Sequence, residues 1–165
     1  MVQTSITYKL ASLSEDAIAS ADLIFRQRFG LHIHEIRVLR LIADAPGVTF
    51  TELTRLTKLD RSATSRMVTR LIKAGYVKRV AASDDARRFQ LYVTPKATRL
   101  RERADPLTQE LEELIFSVLL PAERRGFEDC VERMSAWVHG DFLDVLSARY
   151  PEVAQARAGT GKAGQ

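Results

Sequence analysis

Two clusters of side chains in this sequence have the types and spacing to meet a polyanion. The first comprises Arg61, Ser62, Ser65, Arg66, Thr69, Arg70 and Lys73. On a 3.6-residue period Ser62, Arg66, Thr69 and Lys73 share one face, flanked by Arg61, Ser65 and Arg70. Thr64, Met67, Val68 and Leu71 lie opposite. Small hydroxyl side chains let a helix come close to a groove, and arginines among them can pair with guanine or clamp phosphate. Thr51, at the start of the preceding helix, extends this set. The second cluster is Asp85, Arg87 and Arg88. An aspartate two residues before an arginine can hold its guanidinium by a charge-assisted bond. An arginine aimed in this way suits a narrow minor groove, and Arg88 suits phosphate.

The charge distribution points the same way. Of 165 residues, 25 are Lys or Arg and 21 are Asp or Glu, for a net charge of +4. Residues 51–90 hold ten of the basic residues against four acids (Glu52, Asp60, Asp84, Asp85), so that segment is +6 and the rest of the chain −2. A basic block on a near-neutral body is an electrostatic footprint for nucleic acid. Other classes of function find little support. No glycine-rich phosphate loop, nucleophile–histidine–acid set or paired catalytic carboxylates can be recognised, so no enzyme is expected. His32, His34 and His139 lack a neighbouring cysteine and make a poor zinc set, so neither metal nor cofactor is expected. The lone Cys130 has no disulfide partner and falls on the apolar side of the last helix, where it should be a buried, inert thiol. No apolar run reaches the ~20 residues of a membrane span, and the first twenty residues lack the pattern of a signal peptide. The expected location is the cytoplasm.

The elements that must position these residues follow from periodicity and punctuation. Five helical patterns are predicted, at about 13–29, 33–43, 49–57, 60–74 and 95–118, with Pro106 kinking or dividing the fifth. A sixth helix starts at Pro121 and ends near Ser147. Thr49 and Glu52 have capping-box spacing, Asp60 is a good N-cap, and Gly75 suits a left-handed C-terminal position. Tyr76–Val80 and Phe89–Val93 read as strands joined by the polar turn at 81–88, a hairpin with a charged tip. Thr94 and Pro95 open the next helix. The last fifteen residues, rich in Ala, Gly and Pro, are expected to be disordered. Helix, short helix, capped helix and basic hairpin is the order of a winged helix-turn-helix, with the 60–74 helix reading the major groove.

The details are more specific still. The stretch from Asp85 to Thr94, DARRFQLYVT, resembles the wing signature of the MarR family of transcriptional regulators, with Val93 where the family has Leu. LDRSATSRMVTRLIKAGYVKR resembles the family's recognition helix and the junction after it, and FGLHIHEIRVLRLIADAPGVTFTEL its second helix and the entry to the third. His32 stands where many members have a capping Thr, which either weakens the cap or frees the ring for another role.

The resemblance implies a mainly α fold with a small two-stranded β wing. Residues 30–94 would form the DNA-binding lobe, 8–29 and 95–149 a helical dimerisation region, and 150–165 a disordered tail. It implies a homodimeric repressor on double-stranded DNA, bound at a pseudo-palindromic operator and released by a small molecule, often an aromatic carboxylate. The effector crevice would draw on the first, second and fifth helices, where Arg26, His32, His34 and Arg37 are the polar candidates. The competing reading is a winged-helix module for protein or RNA contact without ligand response.

Overall fold

Helices begin where a side chain can satisfy the first free amides. In the computed structural model, which describes residues 5–81 and 89–160, Ser5 accepts the Tyr8 amide at 3.2 Å and opens α1 (Ile6–Phe29). This start precedes the one predicted from the apolar stripe, because the cap and not burial marks it. After α2 (Ile33–Asp44), the expected capping box opens α3 (Phe50–Thr57). The Glu52 carboxylate accepts the Thr49 amide at 2.8 Å, and Thr49 Oγ1 accepts the Glu52 amide at 3.3 Å. Asp60 accepts the Ala63 amide at 2.8 Å and opens α4 (Arg61–Lys73). Gly75, at φ 75°, reverses the chain after α4 as its position predicts.

The sheet has one strand more than the predicted hairpin. β1 (Val48–Thr49) pairs antiparallel with β3 (Phe89–Val93), which pairs antiparallel with β2 (Val77–Ala81), in the order β1-β3-β2. Two residues are too few to show the alternation that marks a strand, and the pairing of Val48 with Leu91 is visible only in three dimensions. Thr94 Oγ1 then bonds the Gly75 carbonyl at 2.8 Å, closing the sheet against the end of α4 before α5 (Pro95–Phe116) begins.

Pro106 does not divide α5. It is exposed, so the Glu102 carbonyl that loses its amide partner faces the water side, while Leu100, Ala104 and Leu107 stay buried on the other. The predicted last helix, by contrast, is two: α6 (Pro121–His139) and α7 (Phe142–Arg149). Gly140 separates them, with a backbone conformation outside the helical range and the Ala136 carbonyl 3.1 Å from where a Cβ would lie. A further helix, α8 (Pro151–Thr160), occupies most of the stretch expected to be disordered. Proline at its first position and the Ala, Gln, Arg and Glu that follow are favourable to a helix even without large apolar residues. Cys130 is exposed rather than buried: it lies on α6, where no described residue is buried.

By packing, the chain divides into Met1–Ile115 and Phe116–Gln165. The core of the first unit joins Phe25 of α1, Ile36, Leu39 and Ile42 of α2, Leu53 of α3, Leu71 of α4, Leu91 of β3 and Ala104 of α5. Arg40 of α2 adds a polar tie to α5, bonding Asp105 at 2.8 Å and Thr108 at 2.7 Å. The three-element module of α3, α4 and sheet is thus seated on α1, α2 and α5.

Candidate nucleic-acid interface

The inner face of α4 consists of Thr64, Val68 and Leu71, all buried. The Thr64 hydroxyl is satisfied by the Asp60 carbonyl at 3.1 Å and lies 3.2 Å from the Thr57 hydroxyl, which fastens α3 to α4. Between these helices Lys58 adopts the left-handed conformation, at φ 57°. The outward residues are Ser62, Ser65, Arg66, Thr69 and Lys73, every one exposed, as the helical period predicts. Arg61 is exposed as well, with its guanidinium 5.1 Å from the centre of the Phe50 ring, which draws the start of α4 towards α3.

Thr51, Ser65 and Thr69 line a groove of about 690 Å³ between α3, α4 and the sheet, floored by Val68, Ile72 and Leu91. Arg79 of β2 borders it too, 4.1 Å from the Phe89 ring centre. Arg79 is not among the residues expected at this surface. Its signal lay in the hairpin register, which sets Arg79 opposite Leu91 and so diagonal to Phe89. Asp85, Arg87 and Arg88 lie outside the described residues.

Arg70 departs from the outward set. Its Nε lies 3.2 Å from a Glu35 carboxylate oxygen, and its Nη2 donates to the Gly30 carbonyl at 3.3 Å. Glu35 is 1% exposed and also accepts the His32 amide at 2.8 Å.

A second crevice, of about 660 Å³, opens between α1, α2 and α4. Ile18, Leu59, Ala63 and Met67 give it apolar walls, and His32, His34 and Arg66 contribute polar groups. Arg26 lines a neighbouring hollow that shares His32 and Arg70 with it. Arg37 is exposed and borders neither. This crevice takes its third wall from α4 where the expected one drew on α5; of the four polar residues expected, it gathers His32 and His34, has Arg26 alongside, and leaves Arg37 apart.

His32 has found a different partner from the one its position suggests. Its side chain does not cap α2. Instead Asp22, from α1, accepts the Ile33 amide at 2.8 Å with one oxygen and lies 2.9 Å from His32 Nδ1 with the other. Burial pushes the Asp22 carboxyl up, but the Ile33 amide, the His32 ring and the charge of Arg26 outweigh it and hold it below its usual value. His34 is held below its usual 6.5 by burial first, then by the charge of Arg37, against a smaller opposing pull from Asp22. Among the described residues no group of three or more His, Cys, Asp or Glu stands ready for a metal. No helix among them is long and apolar enough to cross a membrane.

Known proteins agree with this architecture. The family model described as MarR family matches residues 29–88, from the end of α1 to the residue before β3. The chain is 24% identical over 107 residues to the HTH-type transcriptional repressor Mb2911 of Mycobacterium bovis, covering 65% of this chain and 77% of that one. A MarR protein from Peptoclostridium difficile superposes with a TM-score of 0.76 at 24% identity, covering 88% of this chain and 96% of that one. Bordetella bronchiseptica BpsR, whose DNA binding is regulated by 6-hydroxynicotinic acid, superposes at 0.73 with 18% identity, covering 82% and 96%. With the helix order, the capped α4 and the antiparallel pair β2–β3 all in place, the chain has the fold of the MarR winged helix-turn-helix regulators, and its residues 29–88 match the model of the MarR family.

Proposed function

We propose that this regulator is a cytoplasmic homodimeric repressor that reads a pseudo-palindromic operator through α4 and is released by a small aromatic carboxylate. The observation that carries the DNA reading is the outward face of α4. Ser62, Ser65, Arg66, Thr69 and Lys73 are exposed together on a helix whose other side is locked into the core. Small hydroxyls permit close approach, Arg66 can reach a guanine edge, and Lys73 and Arg61 suit phosphate. Thr51 would meet the backbone from α3. The wing residues Asp85, Arg87 and Arg88 would add an aimed arginine and a phosphate contact beside the groove.

Pairing of two copies rests on exposed apolar surface. Leu13 and Leu23 on α1, Leu114 at the end of α5, Met134, Trp137 and Val138 on α6, and Leu143 and Val145 on α7 are all exposed in the single chain. Apolar surface of this extent on each of the two units suits contact with a partner. A twofold pairing through residues 8–29 and 95–149 would present two copies of α4 about one DNA turn apart.

The crevice between α1, α2 and α4 suits the effector. Apolar walls would take an aromatic ring, and Arg66, His32 and His34 offer partners for a carboxylate, with Arg26 nearby. An acid bound there would favour a dimer whose recognition helices no longer match the operator.

Selection of bound duplexes from a random pool at near-physiological salt tests the reading. The expected result is a near-palindrome with half-sites about ten base pairs apart. Retention that depends on salt but enriches no sequence would overturn it in favour of a winged-helix module with another partner. Arg87→Ala should weaken binding without unfolding the protein, whereas Arg66→Ala and Ser62→Ala should change which bases are preferred. Calorimetry with benzoate and 6-hydroxynicotinic acid, followed by operator release, tests the effector class. It fails if neither acid binds or displaces DNA.

A further inference from the structure

Arg70 sits on the recognition helix among residues that face outward and is itself half exposed, yet its guanidinium bonds back to the protein. It joins three elements: α4, which carries it; the first turn of α2, through Glu35 at 3.2 Å; and the end of α1, through the Gly30 carbonyl at 3.3 Å. The Glu35 side chain is only 2% exposed, so its charge needs a partner, and Arg70 forms its ion pair. Glu35 is in turn fixed by the His32 amide at 2.8 Å. The same junction holds α2 to α1 through Asp22. The α4 end of this chain of bonds lies in the second half of the helix, beyond Arg66 and Thr69 and beside Lys73. Apolar packing of Val68 and Leu71 gives α4 an inner face, but such contacts are non-directional and allow the helix to roll. A directional ion pair to Glu35, with a second bond to the Gly30 carbonyl, restricts that roll.

We propose that Arg70 is a positioning residue rather than a DNA contact: its pair with buried Glu35 sets the roll of α4, and so the direction in which Ser62, Arg66 and Thr69 face the groove. The inference rests on α4 being the DNA-reading helix. Arg70 remains 53% exposed, so a phosphate contact would have to share its guanidinium with Glu35 and the Gly30 carbonyl, and the test must separate the two roles.

The test is an exchange of both partners for glutamine, read as operator affinity, its salt dependence and melting temperature. Arg70→Gln leaves Glu35 without its cation and is expected to lower affinity about tenfold, a coupling typical of neighbours in one ion-pair network. Glu35→Gln in the same chain lets the two amides bond each other, and the double variant should return to within about threefold of wild type. Its salt slope should be unchanged, because no phosphate contact has been lost. A phosphate-contacting Arg70 would give the opposite pattern. The double variant would stay weak, and the slope of log affinity against log salt would fall by about 0.9. Should Arg70→Gln alone fail to fold, Glu35→Gln alone decides. It leaves the Arg70 charge in place, so a positioning role predicts weaker binding, and unchanged or tighter binding overturns it. A wild type without sequence preference overturns the DNA reading and the proposal with it. A wild type with preference but no rescue overturns the proposal alone.

Discussion

Asp22 shows how one side chain can do the work of another. The start of α2 needs an acceptor for its free amides, and His32 does not provide one with its ring. The carboxylate of Asp22 reaches across from α1 and takes both the Ile33 amide and the His32 ring. Asp22→Ala removes a cap and an interhelical tie together, so it should cost about 1–2 kcal/mol, read as a lower melting temperature, with Asp22→Asn milder because it still accepts from Ile33. His34 gives a pH signature at the same site. Its pKa in the folded chain lies below the usual 6.5, so folding favours the neutral ring. The resulting stability is present above 6.5 and is lost as pH falls through the lower, folded value. Melting temperature should therefore fall more steeply from pH 7 to pH 5 in the wild type than in His34→Gln. Parallel curves would show that His34 does not contribute.

At the scale of elements, the turn after α4 is set by backbone geometry. Gly75 has φ 75°, and the space where a Cβ would stand is open. Gly75→Ala should therefore cost about 1 kcal/mol from left-handed strain alone, measured by denaturant unfolding, with no clash to add to it. A loss several times larger would mean that the turn rearranges. Lys58 makes the same kind of turn between α3 and α4 without being glycine. Lys58→Gly should thus stabilise the fold by up to about 1 kcal/mol, again by denaturant unfolding, and an unchanged or lower stability would show that the lysine is not strained there. Caps and turn residues of this sort made the helix-turn-helix legible: Thr49, Asp60, Gly75 and Thr94 each stand where the sequence placed them. What escaped were features that depend on a partner distant along the chain. β1 exists because Val48 meets Leu91. The break between α6 and α7 comes from a single glycine within an otherwise helical pattern.

At the scale of the molecule, the proposed pairing of two copies rests on exposed apolar side chains. Trp137 and Met134 are 47% and 51% exposed on α6. Placing Glu at both positions should yield a monomer in sedimentation while the melting of the DNA-binding module survives. Operator affinity should then fall by orders of magnitude, because two half-sites no longer act together. A dimer that persists would place the twofold interface elsewhere.

Local chemistry along the sequence determined much of this protein. The period of α4, its cap, the glycine after it and the excess of positive charge each depend on residues a few positions apart, and together they define a capped, basic-faced helix in a winged module. The direction of each polar side chain depends instead on what folding brings beside it. Arg66 and Arg70 stand four residues apart on one helix and read alike in the sequence. Only the tertiary structure separated them, since the buried Glu35 that claims Arg70 comes from a different helix, and a desolvated carboxylate holds the cation it meets.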